Sequence, residues 1–154
     1  MLISILIPSL FERQDKASKL CQGLYSQIKE NNLEDLVEVI CITDNRTVKL
    51  SDKRNMLQKL STGKYFTHLD DDDEFSDDYC KTVVDHIQSL DKDYDVIGYK
   101  QLAKVQGKRF IVKPSLNSTS LHLSGQHVSA QDPPVFARYP WQWQLWHEKY
   151  RKIY

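Results

Sequence analysis

The chain has little glycine and no excess of charge of either sign. It holds 5 glycines in 154 residues, and none of them falls in Pro8-Ser9-Leu10-Phe11 after the first apolar run. That excludes a glycine-rich phosphate loop there, and with it the usual equipment for nucleotidyl transfer. Lys plus Arg and Asp plus Glu both number 21, so no overall basic field is present to hold nucleic acid. A membrane span is missing too: Leu2-Ile3-Ser4-Ile5-Leu6-Ile7 is too short, has no basic residue before it, and is stopped by Pro8. A buried first strand explains that run better than a leader peptide. The three cysteines, Cys21, Cys41 and Cys80, form no CxxC pair and no zinc-type Cys/His spacing. Buried, reduced thiols in a cytoplasmic protein are the expectation.

What is present is ordinary for a globular chain, with 40% hydrophobic and 27% charged residues. The length suits a single domain over 1–154, with a ligand-binding part at 1–114 and a less regular part at 115–154. Leu2–Ile7 reads as a strand covered on both faces, and Ala17, Leu20, Cys21, Leu24, Tyr25 and Ile28 follow helical spacing up to Asn31-Asn32. Val37–Ile42 reads as a second buried strand, with Asp44-Asn45 as the turn after it. Ser51 is expected to cap a short helix that buries Met56, Leu57 and Leu60 and stops at Gly63. Tyr65–Leu69 is a third strand. Ser76 is then expected to cap a helix with Tyr79, Val83, Ile87 and Leu90 on its buried stripe. Two further strands, Asp95–Leu102 and Lys108–Val112, are expected to meet around Gln106-Gly107. The alternation predicts an α/β fold with a mostly parallel sheet flanked by helices. Ser115–Gln131 reads as a long loop, followed by an irregular, aromatic-rich C-terminal part.

The charge balance hides a cluster. Seven acidic residues fall between Asp70 and Asp78, with no base among them. Two unit charges about 6 Å apart repel by roughly 0.7 kcal/mol in water and about 3 kcal/mol at an effective dielectric near 20. In a crevice such a cluster must protonate, stay hydrated or hold a cation, and oxygen ligands favour Mg²⁺ or Mn²⁺. Asp70-Asp71-Asp72-Asp73 follows the third strand directly, at the sheet rim where open α/β folds bind ligands. A solvated acidic loop is the plain alternative. Asp77 and Asp78 are expected only to face the positive end of a helix dipole.

Taken together, Ser4-Ile5-Leu6-Ile7-Pro8-Ser9, Val37 to Asn45, Lys53-Arg54-Asn55, Thr62-Gly63-Lys64-Tyr65 and His68-Leu69-Asp70-Asp71-Asp72-Asp73 resemble the family 2 glycosyltransferases of the GT-A fold. The resemblance implies a metal-dependent transfer, inverting, from a nucleotide-diphosphate sugar (a UDP-sugar favoured) to an acceptor hydroxyl. It puts Asp70-Asp71-Asp72 in the place of the D-x-D motif, with Asp72 as the metal ligand, Asp70 on the ribose or on the metal through water, and Asp71 in the donor site. Asp44 falls where the family recognises the base, or is an Asx-turn residue. Pro8 and Ser9 flank the nucleotide. Arg13 reaches a phosphate or stays in solvent. Arg54 binds pyrophosphate or pairs with the acidic cluster, and ranks above Lys53, although an exposed basic pair fits both.

The acceptor base is the weak point of the resemblance. The family carries it in a downstream Glu-Asp pair, and none follows Phe75 here. Asp132, before Pro133-Pro134, is the aspartate left to serve. A nucleotide-sugar-binding or assembly module without its own base is therefore the rival reading, and the chain is shorter than family members usually are. His122, His127 and His147 lie where some GT-A enzymes supply a further metal ligand, and His68 is expected to hydrogen-bond a carboxylate. Trp141, Trp143 and Trp146 suit a sugar-stacking wall, core packing or a homo-oligomer contact.

Overall fold

The computed structural model describes residues 1–105, 108–114, 135–138 and 145–150. In chain order its elements are β1 (Ile3–Leu10), a 3₁₀ turn (Phe11–Arg13), α1 (Gln14–Glu30), β2 (Val37–Asp44), α2 (Leu50–Leu60), β3 (Tyr65–His68), α3 (Tyr79–Ser89), β4 (Val96–Ile97), β5 (Gln101–Val105), β6 (Lys108–Pro114), β7 (Val135–Arg138), β8 (Leu145–His147) and a second 3₁₀ turn (Glu148–Tyr150). They form two compact units, Met1–Asp95 with Leu145–Tyr154, and Val96–Gln144. No described helix is long and apolar enough to cross a membrane.

In the first unit β1 lies between two parallel partners, β2 and β3. Its apolar run is buried as the pattern requires, with Ile3, Ile5, Leu6 and Ile7 all at 2% exposure or less. The strand does not stop at Pro8 but continues to Leu10. Even-numbered residues of β1 face β3, as Leu2 and Leu6 show by accepting Tyr65 and Leu69 N–H. The ladder with β3 ends at Leu6, so the N–H that Pro8 lacks has no partner to miss. β2 is an edge strand of the first unit and only Val37 is buried, which corrects the expectation of a second buried strand.

α1 buries Ala17, Leu20, Leu24 and Ile28 and ends before Asn31-Asn32, where Asn32 takes a left-handed φ of 54°. Gln27 of α1 fixes the start of α3 by donating to the Ser76 carbonyl at 2.8 Å and accepting the Cys80 N–H at 3.0 Å. The N-cap position of α3 belongs to Asp78, not Ser76, and the buried stripe is Cys80, Val83, Val84 and Ile87. α2 starts one residue before Ser51 and buries Lys53, Leu57 and Gln58. Met56 and Leu60, expected inside, are 45% and 58% exposed. An ion pair at Lys53 turns the other stripe of the helix inward.

Leu6, Leu57 and Phe66 form a buried cluster, joined by Ile40, Ile42 and Trp146. Gly63 is not a helix stop. A Cβ there would lie 2.6 Å from the Ile3 carbonyl carbon and from the Ser4 nitrogen, so the residue is set by close approach to β1. Glu38 ties the same place together, accepting the Ser4 hydroxyl and the Thr62 N–H, both at 2.6 Å.

In the C-terminal part the described residues include two strands, Val135–Arg138 and Leu145–His147. β8 pairs antiparallel with β3, Tyr65 opposite His147 and Phe66 opposite Trp146, so Trp146 is a packing residue. Trp141, Trp143 and the expected loop Ser115–Gln131 lie outside the described residues. In the second unit β5 and β6 form an antiparallel pair as expected, but the expected strand Asp95–Leu102 is not continuous: Val96–Ile97 and Gln101–Val105 are separate strands, and β7 joins β6 in parallel. Cys80 is buried as expected, whereas Cys21 is half-buried and Cys41 exposed.

Candidate functional site

Parallel register brings the carboxyl ends of β1, β2 and β3 to one rim. Ser9 is level with Thr43 and Leu10 with Asp44, while β3 ends at His68 and runs into Leu69 and Asp70. Between these ends lies a crevice of about 380 Å³, lined by Pro8, Ser9, Leu10, Arg13, Arg46, Val48, Leu50, Lys53, Asp70, Asp71 and Asp72. This is the rim at which open α/β sheets bind ligands.

The four consecutive aspartates have four different surroundings. Asp71 turns inward, its side chain 2% exposed. One of its oxygens accepts the Ser9 hydroxyl at 2.6 Å, and the other lies 2.7 Å from the Arg13 guanidinium. Asp72 is 55% exposed and shares the same Arg13 nitrogen at 2.5 Å. Asp70 accepts from Arg54 at 3.1 Å. Its N–H donates to the Asp73 carboxylate at 2.8 Å and its carbonyl accepts the Asp73 N–H at 3.0 Å, so Asp73 closes a turn. Arg13 and Arg54 thereby relieve the repulsion that the bare sequence poses. Arg54 makes the pairing with the acidic cluster that was one of its two expected roles.

Of the two readings made of Asp44, the turn residue is the one its hydrogen bonds show. Its Oδ2 accepts the Val48 N–H at 2.8 Å and the Thr47 hydroxyl at 3.3 Å, as an Asx-type turn does. Its other oxygen holds the ammonium of Lys53, which also donates to the Ser9 carbonyl. The bond from Lys53, and after it the Val48 N–H, lower the Asp44 carboxyl to about 2. Lys53 is the main correction in the site. Far from being part of an exposed basic pair, it is 2% exposed and lines the crevice. One signal could have found it: Lys53 stands four residues before Leu57, on the same helical stripe.

Arg46 was missed as well. It takes a left-handed φ of 60° just after the Asp44-Asn45 turn, pairs with Glu12 and forms part of the crevice wall. Among the described residues His68 has no carboxylate partner. It shares the Phe66 face of β3, edge-on to that ring, with Nε2 3.2 Å from Gln58 Nε2. Burial holds the imidazole down to about 3, with the Arg54 charge second, so it is neutral.

His147 is opposite Tyr65, which is level with Ile3 at the start of β1. Six strand residues, about 20 Å, separate that level from Ser9, too far for a ligand at the rim. Asp132, His122 and His127 lie outside the described residues. Among the described residues no group of three or more His, Cys, Asp or Glu comes together as a metal cage.

A family model described as Glycosyl transferase family 2 matches residues 15–141 of the chain. No curated protein and no solved structure matches it.

Proposed function

Because the chain belongs to glycosyl transferase family 2, it is a glycosyltransferase with a nucleotide-sugar donor and an acceptor, and we propose that the rim crevice binds the nucleoside diphosphate of that donor, UDP before other nucleotides. The observation that carries this reading is that Asp70, Asp71 and Asp72 share one cavity with Ser9 and with Lys53, the partner of Asp44. Leu10, Val48 and Leu50 offer apolar flanks to a base, with Pro8 and Ser9 beside it. The Asp44 carboxylate, held ionised, is an acceptor for a base N–H. Arg13 and Arg54 are the planar cations that suit a diphosphate.

A Mn²⁺ or Mg²⁺ ion fits the donor set in a particular way. With no cage of three ligands among the described residues, the chain offers Asp72, and Asp70 through a water. Such a site suits a hard ion that completes its shell with phosphate oxygens and water. Bound there, the ion would neutralise the departing diphosphate as a Lewis acid. The chain's own part is to hold the carboxylates in place. Arg13 bridges Asp71 and Asp72, Ser9 anchors Asp71, and Arg54 orients Asp70.

Transfer proceeds in this reading by a single displacement. The acceptor oxygen attacks the anomeric carbon as the diphosphate leaves from the opposite face, with inversion, and Asp132 takes the acceptor's proton. The enzyme acts in the cytoplasm. Calorimetry with UDP, with and without Mn²⁺, tests the donor site. Binding is expected to need the ion in the wild type and to lose that dependence in Asp72→Ala; unchanged binding in the variant removes Asp72 from the site. Release of free UDP from UDP-sugars in the presence of acceptor separates a working transferase from a module without a base.

A further inference from the structure

Two of the three cysteines face each other between α1 and β2, outside the lining of the crevice. Cys21 is on α1 and Cys41 on β2, and a contact between their neighbours sets the register of the two elements. The Tyr25 hydroxyl, one turn further along α1, donates to the Val39 carbonyl, two residues back on β2, at 3.4 Å. Four helical residues rise about 6 Å and two strand residues about 6.6 Å. An antiparallel run that puts Tyr25 at Val39 therefore puts Cys21 at Cys41. The two thiols accordingly lie close enough for each to shift the other's titration. Ile40 and Ile42 point the other way, into the cluster of Leu6, Leu57 and Phe66. Cys41 is left on the α1 side, exposed at the sheet edge, with Cys21 half-buried beside it.

The two thiols are chemically unlike. Cys41 is lowered first by the adjoining Cys21 thiol, and its sulfur lies 3.8 Å from the Thr43 hydroxyl. With the Lys53 charge nearby, and against its own partial burial and the Asp71 charge, it is lowered to about 6. Cys21 is raised, first by Cys41, and Tyr25 beside the pair is raised by burial first and by both sulfurs after it. Cys80 is 1% exposed and burial pushes it up to about 11, which makes it inert.

We propose that Cys21 and Cys41 form a redox-sensitive dithiol, a modification site for small disulfides of the oxidised-glutathione type. The Cys41 thiolate attacks one sulfur of the glutathione disulfide, forming a mixed disulfide and expelling one glutathione thiolate. Cys21 then gives up its proton to that thiolate, attacks the Cys41 sulfur and expels the second glutathione. Two protein thiols are oxidised and one disulfide is reduced to two glutathiones. The new bond ties α1 to β2 three residues before Asp44, the end of the strand at the crevice.

The test is mass spectrometry of the folded full-length chain after exposure to oxidised glutathione, followed by peptide mapping. The wild type is expected to lose two hydrogens and to yield a peptide linking Cys21 to Cys41. Cys21→Ser is expected to stop at the mixed disulfide on Cys41. Cys41→Ser should react about tenfold more slowly, since the lost thiolate is the better nucleophile at neutral pH. Cys80→Ser is the control and should behave as wild type. If Cys41→Ser unfolds by circular dichroism, Cys41→Ala replaces it, and the Cys21→Ser adduct site decides by itself. A wild type that stays a mixed disulfide, an adduct on Cys80, or equal rates in the wild type and the Cys41 variant would each overturn the proposal.

Discussion

The ammonium of Lys53 lies between the carboxylate of Asp44 and the carbonyl oxygen of Ser9, closing the end of β2 against the end of β1. A buried cation thus joins two strand ends that the chain separates by more than thirty residues. Lys53→Met keeps the apolar stem and removes that joint. It is expected to weaken UDP binding about tenfold, the worth of one charge-assisted hydrogen bond, and to lower the melting temperature. Calorimetry and thermal melts check both, and wild-type values in both would take the pair out of the site.

Among the described residues, His68 and Asp44 both contribute to the acid limb of stability, in different windows. His68 is neutral in the fold, lowered from 6.5 to about 3 chiefly by burial. Below pH 6.5 the unfolded chain takes up a proton that the fold refuses. Stability is therefore full above 6.5 and falls towards pH 3, by up to about 1.4 kcal/mol per pH unit. Asp44 is lowered from 3.8 to about 2, first by the bond from Lys53. Its contribution is present above 3.8 and is lost as pH falls to about 2. Melting temperatures of His68→Asn should be flatter than wild type between pH 6.5 and 4; an unchanged slope there refutes the assignment.

Gly63→Ala places a Cβ against backbone atoms of Ile3 and Ser4 at 2.6 Å, which cannot rotate aside. The expected loss is about 2 kcal/mol or more, as for other overpacked positions, read from urea unfolding. A variant as stable as wild type would mean that the Gly63 segment can move off β1.

Asp71 and Asp72 are adjacent and should separate cleanly. Asp71→Ala strands the Ser9 hydroxyl and half of the Arg13 contacts in a buried place, for an expected loss of about 2–3 kcal/mol. Asp72→Ala, at a 55% exposed side chain, should stay within about 0.5 kcal/mol of wild type yet lose ion-dependent UDP binding. Denaturant melts and calorimetry on the two variants would contradict the division if the effects came out reversed.

Asp132→Asn keeps the size of the side chain and removes its basicity. UDP binding should persist while sugar transfer falls about a hundredfold or more. Turnover at the wild-type rate would assign the base elsewhere.

Much of the first unit was legible because its signals are short-range. The apolar run at β1, the stripe of α1 (apart from Tyr25, which is 53% exposed), the Asn31-Asn32 stop and the position of the acidic run after β3 depend on neighbours a few residues apart. Pro8 was misread because its effect depends on where the ladder with β3 ends. Met56 and Leu60 were misread because α2 is turned by an ion pair rather than by its apolar content. β8 was not legible at all: three residues, Leu145–His147, become a strand through pairing with Tyr65 and Phe66.

The sequence by itself determined that helices and strands alternate and that four aspartates stand at the end of a strand, since periodicity and spacing are local properties of the chain. Only the tertiary structure decided which aspartate is sealed inward by Ser9 and Arg13, which one stays open, and that Lys53 rather than a surface residue completes Asp44. Those outcomes rest on charge neutralisation between segments far apart in sequence, and a charge finds its partner only when folding has brought the two together and removed the water between them.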